Sequence, residues 1–418
     1  MRSSPKLMQI LDQWKTGLFA AMLAAAGLPI YIHLPQFATS ELGLSLATIG
    51  TILIGIRFLD FLQDPFLGWM VDRWPRFRRH FAAVAVFGLG LGFLLLFSVA
   101  PLFRAELWLI STLVILFTAY SLATILIYGQ SVEIAESGGA AGHYKIASYR
   151  EAGLIIGVVI AAIGPAILAL IAGPQASYRL FGWLLGAFAL IVWALTRSLW
   201  ATQRLPTQPL TMAALKHSGG IYLLCLALAN ALPVALTSTL FLFFVEDRLA
   251  LPGFGGIFLI LFFLSAGVCA PLWSWAVRRY GPKKILLPAM ALSIAGFIGA
   301  AALPAGGALE FALICLVSGA ALGADIVILP ALFSTVLSAS GLPAGQAFGI
   351  WALVSKLALA LAAITALPYL ESAGYTPGGA NTAEALSALN FTYAVLPCLM
   401  KLVAVAMVLR LPSKLVST

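Results

Sequence analysis

The sequence predicts an all-α membrane protein of twelve transmembrane helices in two six-helix halves. Three observations support this. First, only 9% of the 418 residues are charged and 62% are hydrophobic, with a mean hydropathy of +1.03, whereas soluble domains carry about 25% charged residues. Second, the apolar runs are mostly about 20 or more residues long, the length an α-helix needs to cross about 30 Å of hydrocarbon. Third, a basic loop recurs at half the chain length. The sequence lacks the short alternating segments of a β-barrel, so helices must satisfy the backbone inside the bilayer.

The spans follow in order. The first, near 17–38, comes after the polar stretch Met1 to Lys15. It is too long for a signal h-region and has no small-residue cleavage site, so it is expected to be retained. Span two, near 45–70, contains RFLDFLQDPFLGWMVDR. Spans three to six are placed near 80–103, 107–134, 151–173 and 180–196. ATQRLPTQPLTMAALKHS, residues 201–218, reads as a cytoplasmic linker between an N-terminal half, 1–200, and a C-terminal half, 219–418. The second six spans fall near 219–245, 252–277, 285–303, 308–338, 344–371 and 387–409. Gly and Pro within them, as in IGPAILALIAG and LANALPVAL, are tolerated where neighbouring helices satisfy the backbone they release. No soluble domain fits between the spans.

The basic residues give the orientation. Of 24 Lys and Arg, 18 fall in the termini and the even-numbered loops, 3 in the opposite loops, and Arg57, Lys356 and Lys401 within spans. The positive-inside rule then makes both termini cytoplasmic, and the formal charge of +9 reflects topology and not a nucleic-acid partner. GWMVDRWPRFRRH after span two and LWSWAVRRYGPKKI after span eight align with Arg73 against Arg279, an offset of 206. Ordinary basic loops explain those charges but not their half-chain spacing.

Cys225, Cys269, Cys315 and Cys398 lie in apolar spans without paired spacing and read as buried inert thiols. His33, His80, His143 and His217 each lack a second ligand at i+3 or i+4. No metal or haem enzyme is indicated.

Arg57, Asp60 and Asp64 stand at i, i+3 and i+7 and share one face of span two. A charge at the bilayer centre costs roughly 2.5 to 3.5 kcal/mol on insertion scales, so that face is expected to line a cavity between the halves. Two carboxylates one turn apart repel when both are ionised, which favours binding of H⁺ or Na⁺ between them. The alternative is an ion pair with Arg57 that only locks the helix. Lys356, twelve residues into span eleven, is expected to face the same cavity, the alternative being snorkelling to the interface. Lys401 lies closer to the cytoplasmic end, where snorkelling or a structural role competes with function. Trp351 can border the cavity only at its edge, about 140° around the helix from Lys356.

The layout of halves is similar to that of the major facilitator fold, built from parallel repeats around a midplane site. RFLDFLQDPFLGWMVDR resembles the span-two signature of the glycoside-pentoside-hexuronide:cation symporter family, the melibiose-permease-like group. IYGQSVEIAES, residues 127–137, and YKIASYREAG, residues 144–153, resemble that family's span-four exit and span-five start, and Lys356 falls at its span-eleven lysine. The resemblance implies a cation site at Asp60 and Asp64 with Thr124 nearby. It implies Arg150 as a substrate or gate residue and Lys356 as the partner charge. The residues themselves add Arg57, Tyr128 and Trp351 as candidate substrate contacts, and a gate of Asp72, Arg73, Arg76, Arg78 and Arg79 after span two with Arg278, Arg279, Lys283 and Lys284 after span eight, for which Glu133 and Glu136 are the acidic partners. Span four lacks the acid of sugar-binding members, and span ten has Thr335 and Ser338 where many relatives show Asp, its own acid being Asp325. These departures leave room for a less hydroxylated solute.

Three function classes follow. The first is a Na⁺- or H⁺-coupled symporter of a sugar, glycoside or related solute, working as a monomer without a cofactor in a bacterial inner membrane. The second is a proton-coupled exporter of amphipathic compounds, or a lysolipid carrier, on the same fold. The third is a membrane enzyme or sensor, for which the sequence offers no nucleophile and base constellation.

Overall fold

The structure is a computed structural model and describes residues 5–25, 34, 37–39, 41–135, 138–200, 209–412 and 415. Among the described residues the regular structure is helical, with no strand. The long helices are α1 (Pro5–Ala25), α2 (Leu46–Arg73), α3 (Arg78–Phe97), α4 (Ala105–Ala135), α5 (Gly139–Ala172) and α6 (Pro174–Thr196). They continue with α7 (Gly220–Arg248), α8 (Gly255–Tyr280), α9 (Pro282–Ile298), α10 (Ala308–Ser340), α11 (Ala344–Ser372) and α12 (Ala383–Leu409). Ten of these, α3 to α12, are long and apolar enough to cross a membrane. The expected first and second spans involve residues outside the described set, 26–33 in the first and the Arg57 side chain in the second. Residues 201–208 of the expected linker also lie outside it, and the rest of that segment contains a short helix, Met212–His217.

Two helices extend further than their apolar runs. α1 begins at Pro5, ahead of the span expected from residue 17, and α5 begins at Gly139, so the polar stretch GHYKIASYREAG is helical. Helix, once nucleated, propagates through Ala, Lys, Glu and Arg at little cost, and hydropathy marks only the part immersed in hydrocarbon. α7 and α12 each contain a π-turn, at Phe244–Arg248 and Phe391–Val395. A π-turn adds one residue to a turn and so rotates the face that all later side chains present.

The described chain divides into two compact units. Unit 1 comprises residues 1–142, 149–210 and 341–352, and unit 2 comprises residues 143–148, 211–340 and 353–418. The core of unit 1 gathers Phe19, Leu89, Phe93, Leu116 and Trp200. That of unit 2 gathers Leu240, Phe244, Phe311 and Tyr393, with the Phe244 and Tyr393 rings stacked at 4.0 Å. Large apolar residues such as Ile160, Leu170, Val268, Leu272 and Ile364 are exposed. A soluble protein seldom tolerates such surfaces; here they meet lipid tails.

Lipid removes the hydrophobic drive between helices, so close backbone approach must come from small residues. In unit 1, Gly153 and Gly157 of α5, one turn apart, lie against the backbone of Gly17 and Ala21 of α1. Unit 2 repeats the device with Gly319 and Gly323 of α10 against the carbonyls of Phe262 and Ala266 of α8. A Cβ at any of these four glycines would meet backbone, which cannot yield as a flexible side chain can. Gly157→Leu is therefore expected to destabilise the protein by about 1–3 kcal/mol or more, measured as a lowered melting temperature in detergent. Gly50→Ala, where an added Cβ meets nothing within 4 Å, should be neutral or slightly stabilising.

Candidate functional site

α2 places its acids by simple helical geometry. Asp60 and Asp64 are 1% and 0% exposed, and the i, i+4 spacing sets them on one face. Gln63 Nε2 donates to Asp60 Oδ1 at 2.8 Å, and Thr118 Oγ1 on α4 donates to Gln63 Oε1 at 2.9 Å. Asp60 is thus oriented by a two-step chain that ends on the neighbouring helix. Pro65 follows within the helix, and Gly349 of α11 packs beside the Asp64 carbonyl. Gln63 and Thr118 escaped sequence reasoning. Gln63 sits between the two acids in DFLQD, and that position is the available signal.

Thr124, expected beside the acids, donates its hydroxyl proton to the Tyr120 carbonyl one turn back, at 2.8 Å. Its remaining capacity is that of an acceptor. Tyr128 and Arg150 come together: the Arg150 guanidinium carbon lies 3.7 Å from the Tyr128 ring centroid. Both are committed to Glu151. Arg150 Nε donates to Glu151 Oε1 at 2.9 Å, Nη2 stands 2.8 Å from the same oxygen, and the Tyr128 hydroxyl donates to it at 3.2 Å. Arg150 and Glu151 are 2% and 4% exposed, so the charges are neutralised locally, as a buried arginine requires. Glu151 was overlooked; its adjacency to Arg150 in SYREAG is the signal that marks it. Trp351 and Lys356 are half-buried on α11, the Trp351 ring 6.3 Å from that of Phe348.

The expected gate residues separate into two kinds. Asp72 is buried at the end of α2 and accepts hydrogen bonds from the backbone N–H groups of Gly345 at 3.1 Å and Gln346 at 2.5 Å. It therefore caps the first turn of α11, satisfying donors that have no intrahelical partner and placing a carboxylate at the positive end of the helix dipole. Gly345 and Gly68 allow this contact, since an added Cβ at Gly345 would meet the Asp72 carboxylate. Glu133 is bound by Arg78, which also reaches Gln130 Oε1 at 3.5 Å. The basic partner of Glu133 in the loop after span two is Arg78; Arg73 is exposed, as is Arg279. The α3 helix starts at Arg78, and its first turn directs that side chain inward. Glu136 lies outside the described residues.

Unit 2 narrows the alternatives for Lys401. It is 3% exposed, and its Nζ donates to Asn230 Oδ1 of α7 at 2.7 Å and to Asp325 Oδ2 of α10 at 2.5 Å. It does not snorkel. The π-turn upstream in α12 alters the face on which residue 401 projects, and an ideal helical wheel cannot register that. A cavity of about 50 Å³ opens beside the pair, lined by Thr237, Ser293, Ser318, Asp325, Cys398 and Lys401 together with apolar side chains. Among the thiols, Cys315 and Cys398 are buried as expected, but Cys225 is exposed on the apolar surface of α7 and Cys269 is half-buried. His143 is a satisfied buried histidine, its Nδ1 sharing a hydrogen bond with Ser334 Oγ at 2.6 Å.

The cap at Asp72 yields a graded expectation. Asp72→Ala strands two buried N–H donors and should cost about 0.5–2 kcal/mol. Asp72→Asn keeps one acceptor but loses the charge and should fall between Ala and the parent. Melting temperatures of the three proteins in detergent test the ranking.

A family model described as MFS/sugar transport protein matches residues 15–414. Two solved structures of a bacterial homologue of the iron transporter ferroportin in an outward-facing state, one of them with soaked iron, are similar to this chain. Their TM-scores are 0.67 and 0.68 at 16% and 15% identity, each covering 96% of this chain and 98% of the other. At that identity the likeness is one of fold, and it agrees with the all-helical architecture. The family match extends over nearly the whole sequence. The chain belongs to the MFS/sugar transport protein family and is a multi-pass membrane transporter that sits in the lipid bilayer.

Proposed function

We propose that this transporter is a cation-coupled symporter that moves a small solute together with Na⁺ or H⁺ by alternating access. The observation that carries this reading is the buried pair Asp60 and Asp64, one turn apart on α2, with Asp60 oriented through Gln63 and Thr118. Two acids one turn apart repel when both are ionised, which favours a cation or proton shared between them. The span-two resemblance to the glycoside-pentoside-hexuronide:cation symporters supports the same assignment, with a sugar, glycoside or related compound as solute. In this reading residues 1–200 and 219–418 are the two six-helix halves, joined by the linker 201–218, with both termini cytoplasmic in a bacterial inner membrane and a monomer as the working unit. Arg57, Tyr128, Arg150, Trp351 and Lys356 line the solute path. Asp72, Arg73, Glu133 and Arg279 are the proposed cytoplasmic gate residues, with Arg78 as the partner of Glu133.

A second reading, proton-coupled export of amphipathic compounds, is favoured by one observation. The Thr124 hydroxyl proton is used within its own helix, and Tyr128 and Arg150 are already matched to Glu151. Few groups are left in that region to bind the hydroxyls of a sugar. The iron in one neighbour's structure belongs to that protein, and a likeness at 15% identity transfers no cargo.

Proteoliposome assays separate the readings. An inward Na⁺ or H⁺ gradient should drive uptake of a labelled sugar or glycoside, whereas an exporter would lower accumulation. Asp60→Asn and Asp64→Asn should each reduce gradient-driven uptake to background while the protein stays folded, because a buried amide costs less than a buried carboxylate. Undiminished coupled transport in both would remove the pair from the coupling site. Gln63→Leu, which withdraws the group orienting Asp60, should weaken cation affinity by about tenfold, read by titrating the coupling ion in the same assay.

A further inference from the structure

We propose that Asp325, Asn230 and the hydroxyls beside them form a second small-cation site, within unit 2. In this site the Lys401 ammonium is a tethered occupant that competes with a free alkali ion such as Na⁺ or Li⁺. The ammonium bridges Asn230 Oδ1 at 2.7 Å and Asp325 Oδ2 at 2.5 Å, which is how a bound cation would sit between two oxygens. The site is not filled by that contact. Asp325 is 5% exposed, yet its Oδ1 has no hydrogen-bond partner among the described residues. Asp325 lines a cavity of about 50 Å³, and one water requires on the order of 10–15 Å³ by the same measure. A small cation with a few waters fits there.

The chemistry of the lining selects the sign of the ligand. Thr237 Oγ1 donates to the Val234 carbonyl at 3.0 Å, and Ser318 Oγ donates to the Ile314 carbonyl at 2.6 Å. Both hydroxyls have spent their protons on their own helices and can present only lone pairs to the cavity. With Asp325 they line the cavity with oxygen, and Asn230 Oδ1 is the second oxygen on the Lys401 ammonium; such donors suit hard cations. An anion would meet the Asp325 carboxylate, and an apolar ligand would leave Oδ1 unsatisfied at a cost of several kcal/mol. Asp325 and Lys401 are the only charged residues among the described ones that line the cavity, so an alkali ion takes over the compensation of Asp325 only as the Lys401 ammonium withdraws from it. The proposal does not depend on any role for Asp60 and Asp64.

The test uses the full-length protein in detergent with Asp60→Asn and Asp64→Asn introduced, so that α2 contributes no site. Binding of ²²Na⁺ and thermal stabilisation by NaCl or LiCl are compared with choline chloride at equal ionic strength. With Lys401 present, weak saturable Na⁺ binding is expected. Lys401→Gln, which removes the competitor, should tighten it by about tenfold or more and add a Na⁺-dependent rise in melting temperature. Asp325→Asn should abolish both. If the Asp60 and Asp64 changes prevent folding, the same comparison with those acids intact reads the site as one additional bound ion that Asp325→Asn removes. If Lys401→Gln does not fold, the ²²Na⁺ binding that Asp325→Asn removes in the Lys401 protein decides alone. Saturable binding that is absent with and without Lys401, or unchanged by Asp325→Asn, would overturn the proposal and leave the pair as a structural ion lock.

Discussion

Each ionised group in the interior of this protein must be compensated from within, because the surrounding lipid supplies neither water nor counter-ions, and most of the structure's departures from plain apolar helices follow from that constraint. Arg78 meets Glu133, Arg150 meets Glu151, Lys401 meets Asp325, and Asp72 meets the first N–H groups of α11. Such pairs contribute little net stability. Desolvating two charges costs several kcal/mol per ion, which their attraction roughly cancels, while removing one partner costs about 3–5 kcal/mol. A transporter can use that asymmetry. Contacts worth little in total but costly to leave half-made are suited to exchanging partners, since each state must satisfy every charge and few intermediates can.

The same solvent explains how the helices reach positions where those pairs form. Tails of lipid compete on equal terms with leucine, so the two units rely on backbone contact at small residues, Gly153 and Gly157 in one and Gly319 and Gly323 in the other. Gly349 brings α11 beside the Asp64 carbonyl, and Gly345 brings its first turn within reach of Asp72. Glycine is thus a requirement of the ionic network as well as of packing: a methyl group at Gly345 would occupy the space that the Asp72 carboxylate needs.

Hydropathy and periodicity in the sequence revealed the helices and the shared face of Asp60 and Asp64, because both depend on local spacing. The ends of α1 and α5 were less legible, since their polar extensions are helical without being apolar. Partners distant in sequence were hidden altogether. Nothing in FGIWALVSK or KLVAVAMVLR indicates that Lys401 is fully buried while Lys356 is only half-buried, and the π-turn that alters the face of residue 401 has no clear sequence mark. Gln63 and Glu151, each adjacent in sequence to a residue already singled out, could have been anticipated. Asn230 and Thr118 could not, because only the packing of α7 and α4 brings them to their partners.

The charge count in each cluster separates structural from ion-handling roles. Arg78 with Glu133 and Arg150 with Glu151 are one-to-one pairs, and Glu151 Oε1 also receives the Tyr128 hydroxyl; the atoms left without a hydrogen-bond partner, Arg78 Nε and Arg150 Nη2, are donors that no cation would bind. The sequence of span two has two acids for one arginine, the pattern on which the proposed coupling site rests. The Asp325 cluster is balanced in charge but short of one hydrogen bond, on a residue that lines a cavity. In the proposed scheme the acids of α2 take up the coupling cation, whereas the Asp325 cluster admits one only by displacing the cation already there. A chain with one site of each kind would take up an ion freely at the first and by exchange at the second, so the two sites would respond differently to the same ion gradient.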